Sequence, residues 1–239
     1  MGFFVILLTS IVTLPATESR SILILITGAD EMPNGEPTGL WLEEFAVPYK
    51  LFTEAGYSVE VVTPQGGMAP IDPRSEPTLE KIAEWQMAIQ RLGETKSLET
   101  VNSENCAAIF IPGGHGVMFD LATDPVVAKL IQEFSAQDKP IASVCHGPAA
   151  LVNVVREDGA PLVEGKKVTA FSNVEEHAVE LAEMMPFLLE TKLRELGAKV
   201  KVKKEFKAFA VRDGNLITGQ NPASSKAVAK LLIKSLKKK

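Results

Sequence analysis

Cysteine is nearly absent. The 239-residue chain has two, Cys106 and Cys145, so a disulfide framework cannot be what holds the fold together. Histidine is almost as scarce. The three residues His115, His146 and His177 fall in no H-x-x-x-H or C-x-x-C spacing, and no metal site is expected. There is no Walker A run and no G-x-G-x-x-G, so a nucleotide cofactor has no support and no cofactor is expected. Basic residues are outnumbered: 25 Lys and Arg stand against 30 Asp and Glu, a net charge of −5. A nucleic-acid partner, which needs a basic patch, is not expected. Aromatics are only 6%, yet 46% of residues are hydrophobic and 23% charged, a globular mixture that excludes disorder.

No membrane partner is expected either. The N-terminal stretch 3–14 (FFVILLTSIVTL) falls short of the about 20 apolar residues of a span. It has the length of a signal-peptide h-region, but no Lys or Arg precedes it and Leu14-Pro15-Ala16 is a poor cleavage site. Residues 1–20 are therefore read as a hydrophobic extension or a weak signal segment, and 21–239 as one domain. The location is cytoplasmic on the first reading, and secreted or periplasmic on the second.

What the chain does have is alternation. The run 21–27 (SILILIT) is continuously apolar and of strand length, as suits a strand buried on both faces. A helix is predicted over 40–55, stopped by Gly56, then a strand over 58–63 and a Gly/Pro-rich loop over 64–77. A helix near 79–92 precedes a strand at 107–111, and a helix over 125–137 is capped by Asp124. A strand at 140–144 runs into Cys145 and a helix from Ala149. Later strands are predicted at 167–171 and 199–202, a hairpin around Asp213-Gly214, and a last helix over 222–236. Strands and helices in this order make a doubly wound α/β fold, a mostly parallel sheet with helices on both faces.

Such sheets bind ligands beyond the carboxyl ends of their strands. Two glycine-rich loops fall there: Gly113-Gly114-His115-Gly116, and Cys145-His146-Gly147. Cys145 sits at a sharp strand-to-helix turn between small residues, like a nucleophile elbow. A helix N-terminus aimed at the thiol would lower its pKa; a buried inert thiol is the alternative. His146 is a base beside a nucleophile, or a loop histidine bonding backbone. Gly113 and Gly114, with amides at the elbow such as that of Gly147, could form an oxyanion hole, or simply a tight turn. His115 is read as packing the loop, and Cys106 as inert and buried.

Five ordered segments together resemble the ThiJ/PfpI superfamily, which has the flavodoxin-like fold of class I glutamine amidotransferases. They are TGLWLEE at 38–44, PGGHG at 112–116, VCHGP at 144–148, FSNVEE at 171–176 and LITGQNPASS at 216–225. The chain is most similar to the branch of heat-shock chaperones, glutathione-independent glyoxalases (glyoxalase III) and protein deglycases. That resemblance implies a triad of Cys145, His146 and an acid that Glu176 matches best, with Glu175 its rival and His177 beside them. It implies a carboxyl on the first helix against the sulfur, matched by Glu44; Glu43 lies about 100° round the helix. The implied activity turns methylglyoxal or a related 2-oxoaldehyde into a 2-hydroxy acid without metal or glutathione, and could extend to early glycation adducts. Glutamine hydrolysis is not expected, because His146 adjoins Cys145. A homodimer is implied, and unfolded or glycated protein clients are further partners. A holdase or redox sensor is the alternative, the holdase resting on the apolar stripe 184–189 (MMPFLL).

Overall fold

The computed structural model describes residues 21–237, so the N-terminal stretch 3–14 and the end of the lysine tail lie outside the described residues. The first apolar run becomes β1 (Ser21–Leu25), followed by α1 (Leu42–Glu54), β2 (Ser58–Thr63), α2 (Leu79–Arg91), β3 (Lys96–Ser97), β4 (Cys106–Ile111), α3 (Pro125–Ala136) and β5 (Ile141–Val144). The chain continues through β6 (Lys167–Val168), α4 (Asn173–Ala178), α5 (Leu189–Glu195), β7 (Lys199–Val200), β8 (Ala210–Asp213), β9 (Leu216–Gly219) and α6 (Ser225–Leu236).

Seven strands form one sheet in the order β3-β2-β1-β4-β5-β9-β8. All its pairs are parallel except the β8–β9 hairpin. Side chains alternate across a strand, so β1 feeds two cores. Leu23 and Leu25 pack on one face with Val127, Ile131 and Phe134 of α3. Ile22 and Ile24 pack on the other with Phe45 and Phe52 of α1 and with Val228 and Leu232 of α6. Residues buried on both faces explain why these strands read as unbroken apolar runs.

Local chemistry sets the helix ends. The Asp124 carboxylate accepts the Val126 and Val127 amides at the start of α3. Beyond α1, Gly56 takes a φ of +84°, which glycine adopts without steric cost. Pro48 lies inside α1 without ending it. Among the described residues, no helix is long and apolar enough to cross a membrane.

The expected strands at 167–171 and 199–202 are corrected. They shrink to the two-residue β6 and β7, which pair with each other in a separate small sheet. The main sheet already ends in the hairpin, so these segments cover its end rather than extend it. The direction of strand addition reverses between β1 and β4, the crevice where such sheets hold ligands. The glycine loop after β4 and the turn after β5 both open there.

Candidate active site

Cys145 follows β5 directly and has a φ of +59°. A non-glycine residue there is strained and persists only where its surroundings over-determine it. They do: its N–H donates to the Gly219 carbonyl at 3.0 Å, and its carbonyl accepts the Phe171 N–H at 2.9 Å. Gly147 completes the turn, because a Cβ on it would strike the Ile111 carbonyl oxygen. Gly147→Ala is therefore expected to destabilise the protein by roughly 3 kcal/mol, seen as a lowered midpoint in denaturant titration.

The helix expected after the elbow is absent. A five-residue 3-10 turn, Gly147–Leu151, takes its place, so the segment after the elbow brings no α-helix N-terminus to the sulfur. The expected lowering of the thiol pKa is reversed: burial, with the negative charge of Glu44 next, pushes Cys145 well up. The His146 amide donates to the sulfur and partly opposes this rise.

The imidazole of His146 lies beside the thiol, with Nδ1 3.4 Å from Sγ. Its Nε2 meets Glu176 Oε2 at 2.7 Å. An ionised carboxylate only accepts, so Nε2 carries the proton and Nδ1 turns a lone pair to the thiol. The other oxygen, Glu176 Oε1, meets His115 Nε2 at 2.9 Å. The Arg74 guanidinium lies 3.3 Å from His115 Nδ1 and, as donor only, gives His115 the same tautomer. Arg74 is itself held by the buried carboxylate of Asp72, with Nε to Oδ1 at 2.9 Å. A line of hydrogen bonds thus runs from Asp72 through Arg74, His115, Glu176 and His146 to Cys145.

Burial alone would raise the Glu176 pKa, but the charge of His146 and the hydrogen bonds from both imidazoles outweigh it and hold the carboxyl well below its usual range. Burial, then the neighbouring His146 charge, pushes His115 down to about 4. His115 is therefore neutral at physiological pH and a donor to Glu176. Its place in this line is a feature that local sequence reasoning missed: it lies 61 residues from Glu176, a separation that no local spacing reports.

Glu44 is fully buried on α1, whereas Glu43 next to it is exposed. Glu44 Oε2 accepts the Gly113 N–H at 2.7 Å, and the carboxyl also interacts with the Cys145 thiol. Burial pushes its pKa up to about 8, so at neutral pH it holds a proton beside the sulfur. The Gly113 amide, read from sequence as an oxyanion donor, is thereby committed to Glu44. A Cβ on Gly113 would lie 2.6 Å from the His146 nitrogen and 2.8 Å from Glu44 Oε2, so the carboxyl reaches this amide only because residue 113 is glycine.

The remaining sequence candidates lie elsewhere. Glu175 is buried but turned away from His146, and His177 is exposed. Cys106 is buried in β4, its thiol pushed up to about 11 by burial first and then by Glu60. Met185 and Leu189 of the apolar stripe are buried in the α3-side core, Met184 and Phe187 pack half-buried against it, and Leu188 is half-buried and Pro186 exposed, so the stripe named for the holdase reading is divided between core and surface.

His115, His146 and Glu176 each offer one ligand atom, all within 4.8 Å of one another. The same three side chains are engaged in the two hydrogen bonds from the His115 and His146 Nε2 atoms to Glu176. A cation held there would displace both protons and free His146 from its orienting carboxylate.

Comparison with known proteins gives a concordant picture. Residues 38–235 match the DJ-1/PfpI family. The chain is 33% identical over 221 residues to the glutathione-independent glyoxalase hsp3101 of Schizosaccharomyces pombe, covering 84% of this chain and 89% of that protein. It is 28% identical over 241 residues to the protein/nucleic acid deglycase HchA of Pseudomonas aeruginosa, covering 89% and 80%. The Rapid Encystment Protein 24 KDa of Francisella tularensis has a solved structure of TM-score 0.85 and 35% identity, covering 90% of this chain and 98% of that one.

Proposed function

The chain belongs to the DJ-1/PfpI family, and we propose that it converts small 2-oxoaldehydes such as methylglyoxal into 2-hydroxy acids, using Cys145 as nucleophile and neither cofactor nor glutathione. The observation that carries this is the sulfur set between a base oriented by an anion, His146 on Glu176, and a protonated buried carboxyl, Glu44. The glyoxalase relative supports the same chemistry.

The steps balance without an external oxidant. His146 Nδ1 takes the thiol proton as sulfur adds to the aldehyde carbon C1, and Glu44 protonates the oxygen that forms. Glu44, now a carboxylate and a stronger base than an ordinary one because its pKa is high, takes the proton on C1. The electron pair becomes the C1–C2 double bond, and His146 returns its proton to the C2 oxygen, giving an enediol. Glu44 then delivers its proton to C2 while the C1 hydroxyl proton passes to His146, leaving a 2-hydroxyacyl thioester. Water cleaves the carbon–sulfur bond and restores the thiol. C1 is oxidised and C2 reduced, so water is the only co-reactant.

With the Gly113 amide held by Glu44, the amides of Gly114 and Gly147 are left to meet the substrate oxygen. Glycated clients are the second substrate class, since hemithioacetal chemistry also reverses early adducts, and the deglycase relative supports it. The expected homodimer is checked by sedimentation. The decisive experiment follows methylglyoxal loss and lactate formation without glutathione, in wild type and Cys145→Ala. Lactate from the wild type alone supports the proposal. Equal lactate from both, or none from either, overturns it.

A further inference from the structure

One buried acid has no part in this chemistry. Glu175 precedes Glu176 on α4 and is fully buried. Its Oε2 accepts the Ser172 N–H at 3.0 Å, the Ser172 hydroxyl at 2.7 Å and Gln220 Nε2 at 3.0 Å. Its Oε1 accepts Asn221 Nδ2 and the Phe206 N–H, both at 2.8 Å. Gln220 and Asn221, from the segment after β9, also bind the backbone at Lys203 and Lys207. Glu175 is thus the hub that ties down the segment 201–208, eight consecutive exposed residues with no regular structure.

What the hub holds is a strained aromatic. Phe206 has a φ of +55°, an outlier for a bulky side chain. The residue is 46% exposed, so folding gains little burial in return. The ring lies 6.4 Å from that of Phe171, which in turn lies 4.6 Å from the ring of His146 and 6.2 Å from that of His115. A line of apolar rings therefore leads from solvent to the catalytic imidazole. Backbone strain held in place beside such a site points to a function in it.

We propose that Phe206, continued inward by Phe171, forms the apolar wall that receives the C2 substituent of the substrate, so that the protein prefers 2-oxoaldehydes carrying an aromatic or large apolar group. Phe206 is the specificity-determining residue and Glu175 its positioning residue. This rests on the thiol-dependent oxoaldehyde activity proposed above. Methylglyoxal has only a methyl group to offer this wall, whereas phenylglyoxal offers a ring that can stack or meet the Phe206 edge.

The test measures kcat and KM for methylglyoxal and phenylglyoxal in wild type, Phe206→Gly, Phe206→Leu and Glu175→Gln. Glycine adopts a φ of +55° freely, so Phe206→Gly removes the ring without straining the backbone. The kcat/KM ratio of phenylglyoxal over methylglyoxal is expected to fall about tenfold in Phe206→Gly, mostly through KM, as the loss of an aromatic pair implies. Phe206→Leu should restore part of it, and Glu175→Gln should lower it in the same direction. A ring that merely covers Phe171 for stability would leave the ratio untouched. If the ratio stays within about twofold of wild type in Phe206→Gly while both substrates are turned over, the inference fails and the activity stands. If the wild type turns over neither aldehyde, the activity fails and this inference with it.

Discussion

Cys145→Ala is expected to lower kcat/KM for methylglyoxal by on the order of 10⁴-fold or more, the loss typical when a covalent nucleophile is removed from a coupled set. The reason lies in what stays behind. Without the sulfur, C1 never becomes a tetrahedral hemithioacetal carbon, so the C1–H bond cannot give its electron pair to the C2 carbonyl when Glu44 takes the proton, and there is no thioester for water to cleave. His146 and Glu176 keep their hydrogen bond, but an oriented base alone has nothing to activate. Alanine retains the Cβ and the same strained backbone angle, so Tm should move by no more than about 4 °C. That separates lost chemistry from lost fold. Lactate formation near the wild-type rate in a folded Cys145→Ala protein would mean a noncovalent enolisation and remove the nucleophile from the account.

Much of this arrangement was legible in the sequence, for identifiable reasons. β1, β4 and β5 are buried on both faces, and burial on both faces is what an unbroken apolar run encodes. Asp124 and Gly56 mark helix ends because capping and positive φ are local demands. The elbow was legible because Cys145, His146 and Gly147 are consecutive. The helix after it was not, because the chain there closes into a short 3-10 turn that tertiary contacts hold, not propensity. The segment at 199–202 alternates Lys and Val, and the one at 167–171 reads Lys-Val-Thr-Ala-Phe; both patterns satisfy a two-residue pairing as readily as a full strand. Glu175 and Glu176 were separable only through the resemblance: both are buried, and the fold alone decides that Glu176 meets His146 while Glu175 turns to Ser172. His115 was the largest gap. It reaches Glu176 through the fold alone, and its neutral state follows from burial and from its neighbours, none of which a glycine loop announces.

Glu44→Gln is the second large effect, and it acts on stability and activity in opposite directions. In the unfolded chain Glu44 ionises near its ordinary 4.5, whereas in the fold burial holds its pKa at about 8. Between those values the folded state binds the proton and the unfolded state does not. Stability is therefore fully present below about pH 4.5 and falls as pH rises, until the folded form also ionises. The slope reaches about 1.4 kcal/mol per pH unit, and the loss across the window is on the order of 5 kcal/mol. Glutamine does not titrate, and its oxygen can still accept the Gly113 N–H. Denaturant unfolding at pH 5, 7 and 9 should thus show the variant gaining on wild type as pH rises. His115, whose pKa is depressed to about 4, works the other way: its contribution is present above pH 6.5 and is lost as pH falls toward 4. Because His115 is present in both proteins, the difference between their curves isolates Glu44. The same substitution removes the group we propose carries a proton from C1 to C2, so turnover should fall by about 10³-fold, within the range of general acid–base catalysis. Parallel stability curves for the two proteins would mean that Glu44 is already ionised at neutral pH, and the proton shuttle would then have to be assigned to His146 alone.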